Sequence, residues 1–317
     1  MKNRTSKGLP IAGDTPDHPD ARTDLEGWAA YAKERIDGRP VIVSVSGGKD
    51  SLAVGLLLKS AGIPFTCVHM ATGHEHPLTD DYVANYLPTV LGPVEILRSE
   101  LGTFEDLARR WRMFPSGNRR FCTDKLKLAP LKKYLKTLDD EPVHTVGVRA
   151  GESRARAKLP EWEWAKRLDC DVWRPLLHWS EGDVIDLIKT SGAMPNPLYL
   201  KFGARRVGCW PCIFVGKADI RRVADNDPER IEYLAALERE VVQLASDHYR
   251  DVKGGTFESL GHTPPTFFEN PRKAKSVAES VAWSRTTYGG KQLDMFQPNY
   301  GNEGCMRWGL CDSGGDE

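Results

Sequence analysis

Val41 to Ser60 carries the clearest pattern in the chain. A mostly β-branched run, "VIVSV", passes without alternation into Ser46-Gly47-Gly48-Lys49-Asp50-Ser51, and the apolar helical stretch "LAVGLLLKS" follows at once. An unbroken apolar run bounded by glycine reads as a strand buried on both faces, and the periodic run after it as a helix that covers that strand. The alternation continues: "FTCVHM", "PVEILRS" and "HTVGVRA" read as strands, with "LTDDYVANYLPTV", "TFEDLARRW" and "LAPLKKYLKTL" as the helices between them. An amphipathic helix opens the folded part over Asp24 to Arg39, with Leu25, Trp28, Ala29, Tyr31, Ala32 and Ile36 on its apolar side. Strands alternating with helices of this length predict right-handed crossovers and an α/β fold, a doubly wound and mostly parallel sheet whose ligands sit at the carboxyl ends of the strands. After Ser180 the pattern changes to the helix "EGDVIDLIKTSG", a long loop, and a long helix with Asp227 as N-cap and Pro228 at its first position. The predicted organisation is a flexible segment over 1–23, an α/β domain over 24–215, a helical segment over 216–252 and an irregular, cysteine-containing extension over 253–317 that packs back on the domain or stays partly mobile.

Composition changes this picture little. Of the 317 residues 40% are hydrophobic, enough for one large core or two modest ones. Lys+Arg and Asp+Glu are both 44, so no global field draws the chain to nucleic acid or an anionic surface, and any such attraction is local. One local excess exists: Arg98 to Lys136 holds eleven cations against four acids, which suits either a polyanion or a solvated helix face. The N-terminus is polar, without the apolar core of a secretion signal, and no stretch approaches a membrane span. Seven cysteines, an odd number, are then expected to serve metal or redox chemistry in a reducing cytoplasm rather than disulfides.

The chemistry-bearing residues fall in two groups. In the first, the glycines of Ser46–Ser51 let backbone N–H groups approach an oxyanion and the helix start favours negative charge. Lys49 can neutralise phosphate, Ser46 and Ser51 can donate hydroxyls, and Asp50 can hold Mg2+ or orient a ligand. The spacing is not that of a Walker A loop, and a plain strand-to-helix turn is the alternative. In the second group, Cys209 and Cys212 in "GCWPC" have the spacing that places two thiolates on one metal, with Cys122 in "RFCTDK" as a further donor. Spacing alone does not separate zinc from an iron–sulfur cluster. Cys67 and Cys170 read as buried and unliganded, and the tryptophans Trp162, Trp164, Trp173 and Trp179 as packing residues. His74 and His76 could ligate a metal, but are expected to face solvent or phosphate.

"SGGKDS" after a first strand resembles the pyrophosphate-binding loop of the ATP pyrophosphatase (adenine nucleotide α-hydrolase-like, PP-loop) superfamily. "ATGHEHPLT", "RFCTDKLKLAPL", "GVRAGESRAR" and the stretch from "PLLHWSEGD" to "GCWPC" follow in the order of its phosphoadenosine phosphosulfate (PAPS) reductase family, so the resemblance runs from about Val41 to Cys212. It implies that Ser44, Ser46, Gly47, Gly48, Lys49, Asp50 and Ser51 cradle phosphates. Met70, Thr72 and Gly73 line the adenosine, and Gly147, Arg149, Glu152, Ser153 and Arg154 contact the nucleotide or its acyl partner. Lys49, Asp50, Arg149 and Arg154 form the implied catalytic set. Iron–sulfur members hold a [4Fe–4S] cluster with a Cys-Cys pair and a later Cys-x-x-Cys; this chain keeps Cys122, Cys209 and Cys212, leaving Cys305 or Cys311 as the fourth ligand, or one iron open.

Two departures bear on function. The family's Asp before Thr-Gly is Ala71 here, and Lys49 is a residue that resembles the ATP-splitting members rather than the reductases. A departing pyrophosphate needs a cation such as Lys49 with magnesium, which favours ATP. The leading expectation is an enzyme that cleaves ATP to AMP and pyrophosphate, adenylates an acceptor (DNA, tRNA or a small molecule) and passes sulfur to it from a persulfide carrier. The alternatives are a PAPS or APS reductase with a cysteine nucleophile and thioredoxin, for which the tail "NEGCMRWGLC" lacks the family's Glu-Cys-Gly order, and a non-catalytic nucleotide- and metal-binding module. Finally, Gln292-Leu293-Asp294-Met295-Phe296 resembles the peptide by which bacterial DNA-processing proteins dock on the sliding clamp, with tail packing as the alternative.

Overall fold

A computed structural model of the chain describes residues 18–257, 259–269, 276–287 and 307–308. The chain folds into two compact units, one formed by Met1–Met70, Pro77–Leu97 and Pro130–Asn196, the other by Ala71–His76, Arg98–Ala129 and Pro197–Glu317.

The first unit is organised by the sheet. Helix α1 (Leu25–Ile36) starts at Asp24, whose carboxylate accepts the Gly27 amide at 2.9 Å, and it buries Trp28, Ala29, Ala32 and Ile36. Strand β1 (Val41–Ser44) follows, then helix α2 (Lys49–Ser60), in which apolar side chains are buried all round. Strand β2 (Thr66–Ala71) leads into a helical run made of α3 (Pro77–Asp81), a π turn over Tyr82–Tyr86 and α4 (Leu87–Leu91), and then strand β3 (Val94–Arg98). After the second unit's α5 (Phe104–Trp111), α6 (Phe121–Thr123) and a π turn over Asp124–Leu128, helix α7 (Ala129–Leu135) returns the chain to strand β4 (Val143–Val146). The sheet order is β3-β2-β1-β4-β6-β5, where β5 is Trp162–Ala165 and β6 is Cys170–Trp173. β1 pairs in parallel with β2 and β4, and β4 with β6, while β5 runs antiparallel to β6. The expected doubly wound, mostly parallel sheet is therefore present.

The β5–β6 hairpin was not expected from the pattern. Its two strands have four residues each and hold three of the tryptophans. Trp162 stacks on Trp173 with centroids 4.7 Å apart, while Trp164 stays exposed. Helix α8 (Glu181–Thr190) packs on α2 and closes the unit, and a buried Leu91 fills the space that the missing Cβ of Gly55 leaves.

The second unit is helical. Around a core that includes Phe104, Leu107, Phe114, Leu126, Leu234 and Phe267 it places α5, α10 (Lys217–Asn226), α11 (Pro228–Lys253) and α12 (Val277–Ser284), with the short α9 (Pro197–Lys201) leading in. Asp227 caps α11 by accepting the Arg230 amide at 3.1 Å, and Pro228 occupies its first turn, as the sequence implies. The described part of the C-terminal extension packs back on α11. There the buried Glu238 accepts the amides of Phe267 and Val277, each at 2.8 Å, and Phe267, Phe268 and Val277 enter the core.

Candidate functional site

Strand order reverses between β1 and β4. From β1 the chain crosses to β2 on one side, and from β4 it continues to β6 on the other. Loops leaving the carboxyl ends of two such strands splay apart and leave a crevice, the usual ligand position in this kind of sheet.

Both loops carry predicted residues. Beyond Ser44, Gly47 takes φ +73°, and a Cβ there would lie 2.8 Å from the Thr79 methyl and 3.3 Å from the Asn196 amide nitrogen. That position therefore needs glycine for both conformation and space. Ser51 folds the loop: its hydroxyl accepts the Ser46 amide at 3.1 Å and donates to the Gly48 carbonyl at 2.9 Å. Gly48 is the N-cap of α2 and supplies no side-chain cap, so the first amides of a 12-residue helix point out of the loop without one.

Lys49 is buried, with 5% of its surface exposed, and its Nζ lies 3.3 Å from Asp50 and 3.2 Å from Glu181 on α8. Asp50 in turn pairs with Arg149 from the β4 loop. Two cations and an uncapped helix start thus converge at the switch point, with two carboxylates holding the cations in place. Gly147 makes this possible, because a Cβ there would lie 2.5 Å from the Asp50 carbonyl carbon and 2.7 Å from the Ser51 nitrogen. Its role is to let β4 pass against the backbone of α2.

The other residues of this group have mainly internal partners. The Ser44 hydroxyl lies 2.7 Å from His144 Nε2 and 3.9 Å from the Met70 sulfur. Burial pushes the His144 imidazole down to about 4, so it is neutral near pH 7, and its Nδ1 has no hydrogen-bond partner. Glu152 accepts the Arg149 amide at 3.0 Å and pairs with Arg156. The Ser153 hydroxyl accepts the Arg156 amide at 3.2 Å, and Arg154 is exposed. Glu181 and His144 were not singled out in the sequence. Glu181 resembles any acid in a first helical turn, and His144 any polar residue in a strand.

Thr72 and Gly73 belong to the second unit and are built into its turn. Thr72 is buried, and its hydroxyl donates to Glu75 at 2.7 Å and lies 3.9 Å from the Cys209 sulfur. The "GHEH" stretch is bound to "GCWPC" by a Glu75–Cys209 bridge and by the Trp210 amide, which donates to the His74 carbonyl at 2.8 Å. His74 does not face solvent or phosphate. Its ring is fully buried against Phe104, with Nδ1 2.7 Å from Glu105, and burial lowers its pKa. His76 packs edge-on against Trp210, 3.8 Å from Asp227.

Cys212 interacts electrostatically with Cys122 and with Cys209, and all three with Lys127, whose ammonium is held charged above its ordinary range by Cys209 first, then Glu75, Cys212 and Cys122. Burial raises the Cys122 and Cys209 thiols. Among the described residues, no three His, Cys, Asp or Glu side chains are arranged to hold a metal ion. Three sulfurs beside one ammonium nevertheless fit a thiophilic metal in residue type, since the ammonium offsets the charge of bound thiolates. Cys305, Cys311 and the segment from Gln292 to Phe296 lie outside the described residues. Burial pushes Cys67 up to about 12 and Cys170 to about 11, leaving both as inert thiols in strands.

Fold and site together define an α/β domain with a glycine-rich loop, a buried lysine and an arginine at the switch point of a doubly wound sheet. A family model described as phosphoadenosine phosphosulfate reductase domain matches residues 40–214, and the chain belongs to that family, within the adenine nucleotide α-hydrolase-like superfamily indicated by its motifs. An uncharacterized 37.8 kDa protein of Escherichia phage 186 is 34% identical over 328 residues, covering 80% of this chain and 90% of that one. The adenosine 5'-phosphosulfate reductase of Allochromatium vinosum is 36% identical over 106 residues, 32% of this chain and 40% of the reductase. Among solved structures, the phosphoadenylyl-sulfate reductase of Candida auris aligns with a TM-score of 0.46 at 19% identity, over 58% of this chain and 88% of that one.

Proposed function

We propose that this chain is an ATP pyrophosphatase that activates an acceptor for sulfur transfer. The observation that carries the reading is the buried Lys49, held by Asp50 and Glu181 at the uncapped start of α2, with Arg149 on the far side of Asp50. A sulfonucleotide presents one phosphate and one sulfate at such a loop. A triphosphate presents more charge, and its departing pyrophosphate carries away most of it, which a fixed lysine and helix amides stabilise. An acceptor oxygen attacks the α-phosphorus, the bond from that phosphorus to the α–β bridging oxygen breaks, and pyrophosphate leaves. A sulfur nucleophile then displaces AMP from the acceptor.

Asp50 and Glu181 are oxygen donors of the kind that Mg2+ takes, and when bound the ion would add charge against the pyrophosphate. Cys122, Cys209 and Cys212 would hold a [4Fe–4S] cluster together with Cys305; zinc is the other metal those donors suit. A second reading, reduction of PAPS or APS with thioredoxin as partner, is favoured by the stretch shared with the Allochromatium reductase. Anaerobically purified protein given ATP or PAPS in parallel separates the two. AMP with pyrophosphate from ATP supports the proposal, and sulfite with adenosine bisphosphate from PAPS replaces it with the reductase.

A further inference from the structure

The arginines of the second unit differ in whether a carboxylate pairs with them. On α5, α10, α11 and the segment after α12, Arg109, Arg221, Arg222, Arg230, Arg250 and Arg285 each lie against a carboxylate of the same unit. Arg98, Arg110, Arg112, Arg119, Arg120, Arg205, Arg206 and Arg239 are exposed, and among the described residues none has a carboxylate partner. Four of these eight flank cysteines in the sequence. Arg119 and Arg120 come three and two residues before Cys122, and Arg205 and Arg206 come four and three residues before Cys209. A reach of four residues is at most about 14 Å of extended chain. Since Cys122 and Cys212 interact electrostatically and pack on one core, both arginine pairs lie within a few residues of the same group of thiols.

The local composition agrees. From Lys201 to Lys217 the chain carries Lys201, Arg205, Arg206 and Lys217 and no acid, and from Arg112 to Lys127 it carries one acid, Asp124. One acid approaches the Arg119 turn: a Glu269 oxygen would lie 3.1 Å from a Cβ on Gly117. An aromatic ring completes the surface: Phe214 is 39% exposed two residues after Cys212, and the Arg120 guanidinium lies 4.6 Å from its centroid. Surface arginines left unneutralised beside an exposed ring serve a ligand that supplies repeated anionic charge and a flat face, which is the chemistry of an unpaired polynucleotide strand.

We propose that the acceptor is a single-stranded nucleic acid, whose phosphodiester backbone lies on Arg112, Arg119, Arg120, Arg205 and Arg206 while a base stacks on Phe214. This deepens the proposed function, since it names the acceptor class of that reaction, but its test does not need turnover. The full chain is titrated into fluorescein-labelled 20-nucleotide DNA, RNA of the same sequence and the DNA duplex, without ATP, from 50 to 200 mM salt. Tighter binding to either single strand than to the duplex is expected, and the preferred strand identifies the source. Reversal of Arg119, Arg120, Arg205 and Arg206 to Glu should weaken that binding at least tenfold. It should also lower the slope of log affinity against log salt by about 3, from about 0.7 for each phosphate neutralised on a single strand. Phe214→Ala should cost about tenfold or more in affinity without changing that slope. Lys136→Glu with Lys166→Glu, exposed positions of the first unit, should leave binding unchanged. No binding, preference for the duplex, or an equal loss in the first-unit reversal would overturn the proposal. ATP cleavage by the quadruple variant, measured separately without acceptor, shows whether the nucleotide reading stands when this one fails.

Discussion

Gly147→Ala tests whether the loops of β1 and β4 form one site. The added methyl would sit 2.5 Å from the carbonyl carbon of Asp50, 2.6 Å from its oxygen and 2.7 Å from the Ser51 nitrogen, while ordinary contact begins near 3.4 Å. Relief requires a shift of about 1 Å, and because the atoms met are backbone no side chain can rotate away. The cheapest movement lifts the first turn of α2 from β4, which pulls Lys49 and Asp50 from Glu181 and Arg149. Overpacking of this kind costs about 1–3 kcal/mol in stability, and a displacement of about 1 Å at a reacting group costs about a hundredfold in rate. Gly151→Ala, four residues on, is the control, since a Cβ there meets nothing within 4 Å. Urea unfolding and continuous pyrophosphate release are measured for both variants. A Gly147→Ala protein with wild-type midpoint and wild-type release would refute the reasoning that this glycine holds the two loops together.

Lys49→Ala should abolish pyrophosphate release, by about a hundredfold or more, while the circular dichroism spectrum is retained; wild-type release would remove the role given to this lysine. His144 should make the fold acid-sensitive. Its folded pKa of about 4 lies below the ordinary 6.5, so its contribution is complete above pH 6.5 and is lost as pH falls through 4, by at most about 3 kcal/mol. Unfolding free energies of His144→Gln should therefore vary less than wild type over that window, and parallel curves would contradict this. Glu238→Ala should cost about 2–5 kcal/mol in denaturant stability, because it strands the buried amides of Phe267 and Val277; a loss below 1 kcal/mol would show that the extension is held otherwise.

The parallel sheet and the glycine turn before α2 were legible because both rest on local signals: β-branched runs that stay apolar on two faces, and a Gly-Gly turn before a helix. The β5–β6 hairpin was not, since two four-residue strands rich in tryptophan have no period long enough to read, and their pairing depends on Trp162 meeting Trp173. Within the site, the sequence singled out Lys49, Asp50 and Arg149 but not Glu181, the second carboxylate at Lys49. Glu181 is 132 residues from Lys49, and only the packing of α8 on α2 joins them. The histidines of "GHEH" were expected to face solvent or phosphate because they follow a strand in a loop that resembles a nucleotide-binding one. The partner that buries His74, Glu105, sits inside an amphipathic helix where it looks like a solvent-facing acid. Glu238 was hidden in the same way, on α11.

The central claim is that this loop cleaves ATP between the α and β phosphorus atoms. Phosphorus-31 NMR of the protein with ATP and magnesium follows that bond directly. The account predicts that resonances of AMP and pyrophosphate grow in equal amounts, and that Lys49→Ala shows neither. Accumulation of ADP with inorganic phosphate, or ATP left intact by wild-type protein while PAPS is consumed, would contradict it.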